Sequence, residues 1–204
     1  MTFSNLTKRI LDLWFKDFVP GKPIPVELRA LWWGKSKETD NMLRDEFGHY
    51  CERALSDANF RKEMASTGEG AVALAVLLDQ FPRNIHRGTG RPFNEFDPVA
   101  RLVAKEAIAS KTCEEVHHVH RIFLYMPLEH SEAMEDQQES IAQYERLADT
   151  CEPCYKEYFD NVLNFAKEHK KVIDRFGRYP GRNVALGRQS TEEELKFLAT
   201  APQW

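Results

Sequence analysis

At 204 residues the chain can bury a sizeable core without disulfides or metals, as one large domain or two small ones. Hydrophobic residues at 42% and charged residues at 29% are ordinary globular usage. A net charge of −4 supplies no global basic field, which argues against nucleic acid or an anionic membrane surface as partner.

The longest apolar run, Ala71 to Leu78, is far short of the ~20 residues that cross a bilayer, so no membrane span is expected. The stretch from Met1 to Ile10 has no basic segment followed by a long apolar one, so no signal peptide is expected. Four cysteines in a chain of this size read as free thiols in a reducing compartment, and the expected location is cytoplasmic.

In chain order, residues 5–18 form the first expected helix, with Ile10, Leu11, Trp14, Phe15 and Phe18 on one apolar stripe. Pro20, Gly21, Pro23 and Pro25 hold off regular structure until about Val26. The adjacent Trp32 and Trp33 point in different directions on any regular element: either one faces a cavity, or both cap the core of the first helix pair. Residues 39–64 read as a second helix, with Met42, Phe47, Tyr50, Leu55 and Phe60 as a loose stripe. Ser66 or Thr67 then caps a helix. Its run from Ala71 to Leu78 has no polar face, and a helix apolar all round is buried all round. This is the expected central helix. It delivers Asp79 to Asn84 at its C-terminal end, where Pro82 is expected to end or kink it.

Asp97-Pro98 signals the next start, with Asp as N-cap and Pro at the first helical position. That helix carries Leu102, Val103, Ala107 and Ile108 to near Ser110. Residues 114–124 form another, stopped or kinked at Pro127. Ser131 or a neighbour caps a helix through Ile141, Tyr144 and Leu147. Tyr155 to Phe176 is a long amphipathic helix with Gly177 as its C′ residue. Ser190 or Thr191 caps the last helix, which is expected to bury Leu195, Phe197 and Leu198. No strand pattern and no Asn-Gly hairpin is seen. The expected fold class is all-α: about eight helices with short connections, packed as antiparallel pairs, in one domain over residues 1–204.

Polar stretches interrupt this pattern. Leu77-Leu78-Asp79-Gln80-Phe81-Pro82-Arg83-Asn84-Ile85-His86-Arg87-Gly88 places an acid, an amide, two arginines, a histidine and an asparagine within nine residues. Arg175-Phe176-Gly177-Arg178-Tyr179-Pro180-Gly181-Arg182-Asn183 echoes it about a hundred residues later. The two are expected to meet around one site. A charge at a buried helix end is costly without a partner, so Asp79 should meet a cation, Arg83 or Arg182. One reading is a preorganised pocket whose arginine forks await a carboxylate or phosphate. The other is a set of loop-bracing ion pairs. A third cluster runs from His117 to Glu132. There His117, Arg121 and Tyr125 share a helical face, and Glu129-His130-Ser131 offers an acid–base pair or a capping turn. His130 is the candidate general base.

Neither a metal nor a cofactor is expected. His117-His118-Val119-His120 lacks the i, i+4 spacing and intervening Glu of a familiar zinc site, and Cys151-x-x-Cys154 has neither a second pair nor a βαβ context. There is no glycine-rich phosphate loop, no Gly-x-Ser-x-Gly elbow and no dinucleotide fingerprint.

The succession Leu11-Asp12-Leu13-Trp14-Phe15, Leu77 to Gly88, Arg121-Ile122-Phe123-Leu124-Tyr125-Met126-Pro127-Leu128-Glu129-His130-Ser131-Glu132, Arg175 to Asn183 and Leu186-Gly187-Arg188-Gln189-Ser190-Thr191 closely resembles the DUF924 family. That family is of unknown function and is found mainly in bacteria and fungi. The resemblance covers roughly residues 9–199. It implies an all-helical, tetratricopeptide-like superhelical fold and no established activity. The family's motif positions fall here on Trp14, Asp79, Gln80, Pro82, Arg83, Asn84, Arg121, Glu129, His130, Ser131, His169, Arg175, Gly177, Arg178, Pro180, Arg182, Asn183 and Gly187. One position departs: the family usually has His after the Pro of the last motif, and this chain has Gly181. The Cys151–Cys154 spacing lies outside the family pattern. No ~34-residue repeat is visible in the sequence itself, so the repeat-like architecture rests on the resemblance and on the run of helix pairs.

Two functional readings follow. As a binding module, the chain holds a small anionic molecule or acidic peptide in a concave groove. Its ligand-binding residues are then Trp14, Asp79, Gln80, Arg83, Asn84, Arg87, Arg121, Tyr125, His169, Arg178, Arg182 and Asn183. As a hydrolase-like enzyme, it uses His130 or His169 as base and Glu129 as orienter, with the arginines stabilising developing negative charge. A scaffold whose polar residues only lock loops together is the third reading. The oligomeric state is not legible.

Overall fold

The structure, a computed structural model, describes residues 2–200. Its helices run in the order α1 (Phe3–Trp14), α2 (Val26–Trp33), α3 (Lys37–Ser56), α4 (Ala58–Met64), α5 (Gly68–Ala75), α6 (Phe81–Ile85), α7 (Asp97–Ala109), α8 (His118–Glu129), α9 (Met134–Thr150), α10 (Lys156–Phe176) and α11 (Glu192–Leu198). The architecture is all-α, with no strand among the described residues. No helix among them is long and apolar enough to cross a membrane.

The apolar run lies at the centre of the fold. Thr67 Oγ1 accepts from the Gly70 N–H at 3.1 Å and opens α5. Every residue from Ala71 to Leu78 is fully buried, as a segment with no polar face requires. α5 packs on α1, α7 and α8; α6 packs on α3; and α8, α9 and α10 pack each on the next. Trp14, at the end of α1, meets the Phe81 ring at 5.4 Å and the Phe123 ring at 5.8 Å, both edge-on. Its carbonyl accepts from Trp32 Nε1 at 2.6 Å. Burial contributes roughly 1.5–3 kcal/mol for each large apolar side chain, and this cluster ties α1, α2, α6 and α8 into one apolar body.

Of the two outcomes expected at Pro82, an end or a kink, the helix does not end there. A π-helical segment, Val76–Gln80, follows α5, and α6 continues from it with Pro82 in its first turn. The Phe81 N–H reaches back to the Val76 carbonyl. Pro82 has no N–H to give, and in a first turn none is needed. The wider turn thus restarts the helix where a proline would otherwise break it; such turns recur at functional sites.

Other boundaries differ for local reasons. α1 starts and ends before the expected 5–18, because Thr2 caps it through the Asn5 N–H and the chain turns at Asp17 with a φ of 60°. The helix expected over 39–64 is two, since Asp57 leaves the helix and caps α4 through the Phe60 N–H at 3.0 Å. Asp97 is not an N-cap: a π-helical segment, Pro92–Phe96, runs straight into α7, and the Asp97 carboxylate turns to Arg83. α8 begins at His118 and runs through Pro127 to Glu129, which carries Glu129 and His130 to the level of Asp79. Ala133 holds the N-cap of α9, and the Ser131 hydroxyl donates to Asp136 at 2.6 Å. Trp32 is buried, whereas Trp33 is half exposed. On α11, Leu195 and Leu198 are exposed, and Phe197 packs on Phe176 at 5.1 Å. Gly177 ends α10 at a φ of 66°, the left-handed C′ conformation that glycine adopts freely, and Thr191 with Glu194 closes a capping box on α11.

Candidate functional site

Where the central helix turns polar, an acid is buried with both its oxygens occupied. Asp79 is inaccessible to solvent. Its Oδ1 lies 2.7 Å from His130 Nδ1 and 3.1 Å from Arg83 Nη1, and its Oδ2 accepts from Gln80 Nε2 at 2.5 Å. Arg83 then forks onto Asp97, with bonds of 2.7 and 2.9 Å. Burial alone would raise the Asp79 carboxyl, but Arg83 and His130 outweigh it and hold it below the usual carboxylate range. Burial, joined by the Arg83 charge, lowers the His130 imidazole against the pull of Asp79. At neutral pH Asp79 is therefore ionised and His130 neutral. The imidazole proton sits on Nδ1, facing the carboxylate, and the lone pair is on Nε2.

A cavity of about 330 Å³ opens beside this cluster. Its wall includes Phe93 and Asp97 near the start of α7, His130 and Glu132 after α8, and Arg182 and Arg188 from the C-terminal segment. Three arginines reach it, and two are committed. Arg188 forks onto Glu132 at 2.7 and 3.0 Å, and Arg101 reaches Asp136 at 3.2 Å. Arg182 differs. Its side chain is only 14% exposed, stands 3.6 Å from Asp97 Oδ2, and donates no hydrogen bond to any described residue. It lies against the rings of Tyr179 and Phe93, 4.4 and 4.6 Å from their centroids. Burial and then the Arg83 charge push its pKa down, with Asp97 opposing; the guanidinium remains charged.

Behind His130 lies a second pair. His169 Nδ1 stands 2.9 Å from the Phe165 carbonyl and 3.2 Å from Glu129 Oε1. Burial pushes Glu129 up to about 8, with the Asp79 charge adding to it, and burial lowers His169 to about 4. Both are predominantly neutral at pH 7. Of the two partners expected for Glu129, His130 is not paired with it, because Asp79 holds His130; Glu129 faces the other, His169. Adjacent residues at a helix end point to different sides, so a neighbour in sequence was the wrong partner.

Of the residues expected at the site, Asp79, Gln80, Arg83, His130 and Arg182 gather here, with Glu129 and His169 one layer behind. The two echoing stretches meet. A Cβ on Gly90 would stand 2.5 Å from the Ala185 carbonyl oxygen, and Arg83 and Arg182 approach the same Phe93 ring at 5.8 and 4.6 Å. The remaining residues lie elsewhere. Trp14 is core. Asn84 accepts from Arg87 at 2.7 Å, and Arg87 forks onto Asp40 at 2.9 Å. Arg121 ties down the carbonyls of Val116 and Glu114, each at 2.9 Å. Tyr125 is buried beside Tyr144. Arg178 forks onto Glu194 at 2.7 and 2.8 Å, and Asn183 donates to Ser190 and Glu194.

Sequence reasoning missed Phe93, Asp97, Glu132 and Arg188. Asp97 spells an N-cap beside Pro98, which hides its ion pair. Glu132 and Arg188 carry a usable signal, opposite charges in two motif stretches. Phe93 carries none. Among the described residues no group of three His, Cys, Asp or Glu side chains is placed to hold a metal ion.

The sequence profile of a family described as bacterial protein of unknown function (DUF924) matches residues 10–202. The chain is also similar to a solved structure of a protein of unknown function from Agrobacterium tumefaciens, at 32% identity and a TM-score of 0.80, over 98% of this chain and 100% of that one. No curated protein matches the chain.

Proposed function

The chain belongs to the DUF924 family, and from that premise and the geometry above we propose that its cavity binds a small monoanion, a carboxylate, on Arg182. Arg182 itself carries this reading: a guanidinium only 14% exposed that makes no hydrogen bond to any described residue and has only a long ion pair, 3.6 Å, with an Asp97 already forked by Arg83. A charge so placed costs free energy unless something answers it, and an anion from solvent does. Two rings lie against the guanidinium and hold its planar fork, which matches the two oxygens of a carboxylate. Asp97 and Glu132 share the wall and repel ligands of higher charge. A volume of about 330 Å³ suits a small molecule better than an acidic peptide. In the same reading the chain is one domain, its α8–α10 run is the tetratricopeptide-like part, and its location is cytoplasmic; all four cysteines being free supports the last point.

Thermal unfolding with acetate, butyrate and benzoate, and with phosphate as contrast, tests the reading. The expected result is a midpoint raised by at least one carboxylate more than by phosphate. Arg182→Ala should weaken that binding by roughly 10–100-fold, while Arg175→Ala, which removes an exposed pair with Glu193, should leave it intact. A protein that no carboxylate stabilises, or an Arg182→Ala variant that responds like the parent, sinks the reading.

A further inference from the structure

We propose that the Asp79–His130 pair makes this cavity a hydrolytic site for small carboxylic esters, with water as nucleophile and Arg182 as partner of the oxyanion. The proposal rests on the anion reading above and deepens it: the carboxylate held by Arg182 is the product of the reaction.

The pair has the parts of a general base. Asp79 is wholly buried and holds His130 Nδ1 at 2.7 Å, while Arg83 and Gln80 hold Asp79, so ring orientation and tautomer are both fixed. The ring lines the cavity, and its Nε2 bonds to no described residue. The charged or titratable groups around it are Asp79 and Arg83 from the central helix, Asp97 from α7 and His169 from α10. None of them blocks Nε2 with a hydrogen bond.

Water has no rival on the wall. Ser131 is the sole hydroxyl or thiol among the described lining residues, and its oxygen already donates to Asp136 at 2.6 Å and accepts from the Ala133 N–H at 3.1 Å. The charge balance favours acyl chemistry. A tetrahedral adduct develops one negative charge, which one guanidinium can meet. A phosphoryl group would bring more charge against Asp97 and Glu132.

In the first step the water oxygen bonds to the carbonyl carbon, its proton passes to His130 Nε2, and the carbonyl electron pair moves onto oxygen beside Arg182. In the second the adduct collapses, the bond to the alcohol oxygen breaks, and that oxygen takes the proton from Nε2. Ester and water become carboxylic acid and alcohol. The acid gives its proton to solvent and remains as a carboxylate on Arg182, and His130 returns to its neutral form. Asp79 touches no reacting atom; it is a positioning residue.

The test uses the full chain with the 4-nitrophenyl esters of acetate, butyrate and benzoate, beside the binding of the free acids. The expected result is saturable release of nitrophenolate that falls ~100-fold or more in kcat in His130→Gln, with carboxylate stabilisation retained. Asp79→Asn should lower kcat with little change in KM and move the pH–rate limb downward; an unmoved limb overturns its positioning role. If His130→Gln does not fold, the parent's pH profile decides. A single-proton limb centred below the ordinary imidazole value of about 6.5 supports His130 as the base, and a limb above it overturns that role. If no ester is hydrolysed faster than by His130→Gln while carboxylates still bind through Arg182, the hydrolytic proposal falls and the binding site stands. If neither occurs, both fall.

Discussion

Phe81-Pro82-Arg83-Asn84 and Tyr179-Pro180-Gly181-Arg182-Asn183 are nearly the same residues, and their uses diverge: Arg182 lines the cavity, whereas Arg83 stands behind its wall, between Asp79 and Asp97. Arg83 is saturated: it bonds the Asp79 carbonyl at 3.0 Å and the Asp79 carboxylate at 3.1 Å, and it forks onto Asp97. Arg182 has two aromatic rings and a carboxylate at 3.6 Å. The difference begins with local structure. Arg83 follows Asp79 by one helical turn, so its acid is supplied by its own helix. Arg182 sits in a 3₁₀ turn, Pro180–Arg182, and the residue four before it is Arg178, which is bound to Glu194. One arginine is a brace because its partner is built in. The other makes no such fork, and in the proposed reading it is the receptor whose partner arrives.

The largest test of this contrast removes the brace. Arg83→Ala leaves the buried Asp79 facing Asp97 without a cation between them, a loss of about 3–5 kcal/mol by the precedent of broken buried pairs. Urea unfolding of the two alanine variants measures it. Arg182→Ala should cost no more than about 1 kcal/mol, since it gives up ring contacts but also removes a cation that lacks hydrogen bonds. If the two costs were equal, or in reverse order, brace and receptor would be the wrong distinction.

Next in size is the pH dependence, where the front and back carboxyls should act with opposite signs. Asp79 is held below its ordinary value. Its contribution is present above that value and lost as pH falls through the lower folded one. Glu129 is raised from 4.5 to about 8. The folded chain keeps a proton that the unfolded chain releases, so the Glu129 contribution is full below about 4.5 and is lost as pH rises toward 8. Glu129→Gln keeps the neutral shape. It should therefore gain stability over the parent on going from pH 5 to pH 8, by on the order of 3 kcal/mol. A parallel pair of stability curves would mean that Glu129 ionises freely, and the second layer would not be the neutral backing described here.

Much of this was legible beforehand, and what was not has definite causes. A run from Ala71 to Leu78 without a polar residue can only be central, and an acid at its buried end can only be paired, so the core and a cation beside Asp79 follow from composition and order; that the cation is Arg83 and not Arg182 is settled by the turn that Asp79 and Arg83 share. Thr67, Gly177 and Thr191 announce their caps through chemistry that works within three or four residues. The π-turn at Val76–Gln80 has no such pattern: nothing in the side chains distinguishes a bond five residues back from one four back. The partner of His130 lies fifty-one positions away, at Asp79, while Glu129 stands next to it. Proximity in sequence pointed to the neighbour, and helix geometry turned that neighbour away. Arg121, Arg178 and Arg182 carry the same fork, and only the supply of nearby carbonyls and carboxylates separates the first two from the third.

The smallest expected effect sits beside Arg182. A Cβ on Gly181 would meet nothing within 4 Å, and its φ lies outside the left-handed region, so a side chain there has both room and an allowed backbone. The resemblance to the family points to His at this place. Gly181→His should change stability by no more than about 0.5 kcal/mol. Its consequence should be electrostatic. A solvated imidazole next to the receptor arginine adds a second positive charge once protonated, and an exposed charge pair is worth roughly 0.2–1 kcal/mol, or up to about five-fold in affinity. Carboxylate affinity relative to the unsubstituted chain should then rise as pH drops from about 7.5 to about 5.5. A constant ratio across that range would place residue 181 beyond reach of the anion and leave recognition to Arg182 alone. A rising ratio would show that the segment after Pro180 is shaped as a receptor along its length, while the segment after Pro82, locked inside α6 and its ion pairs, has no equivalent position to offer.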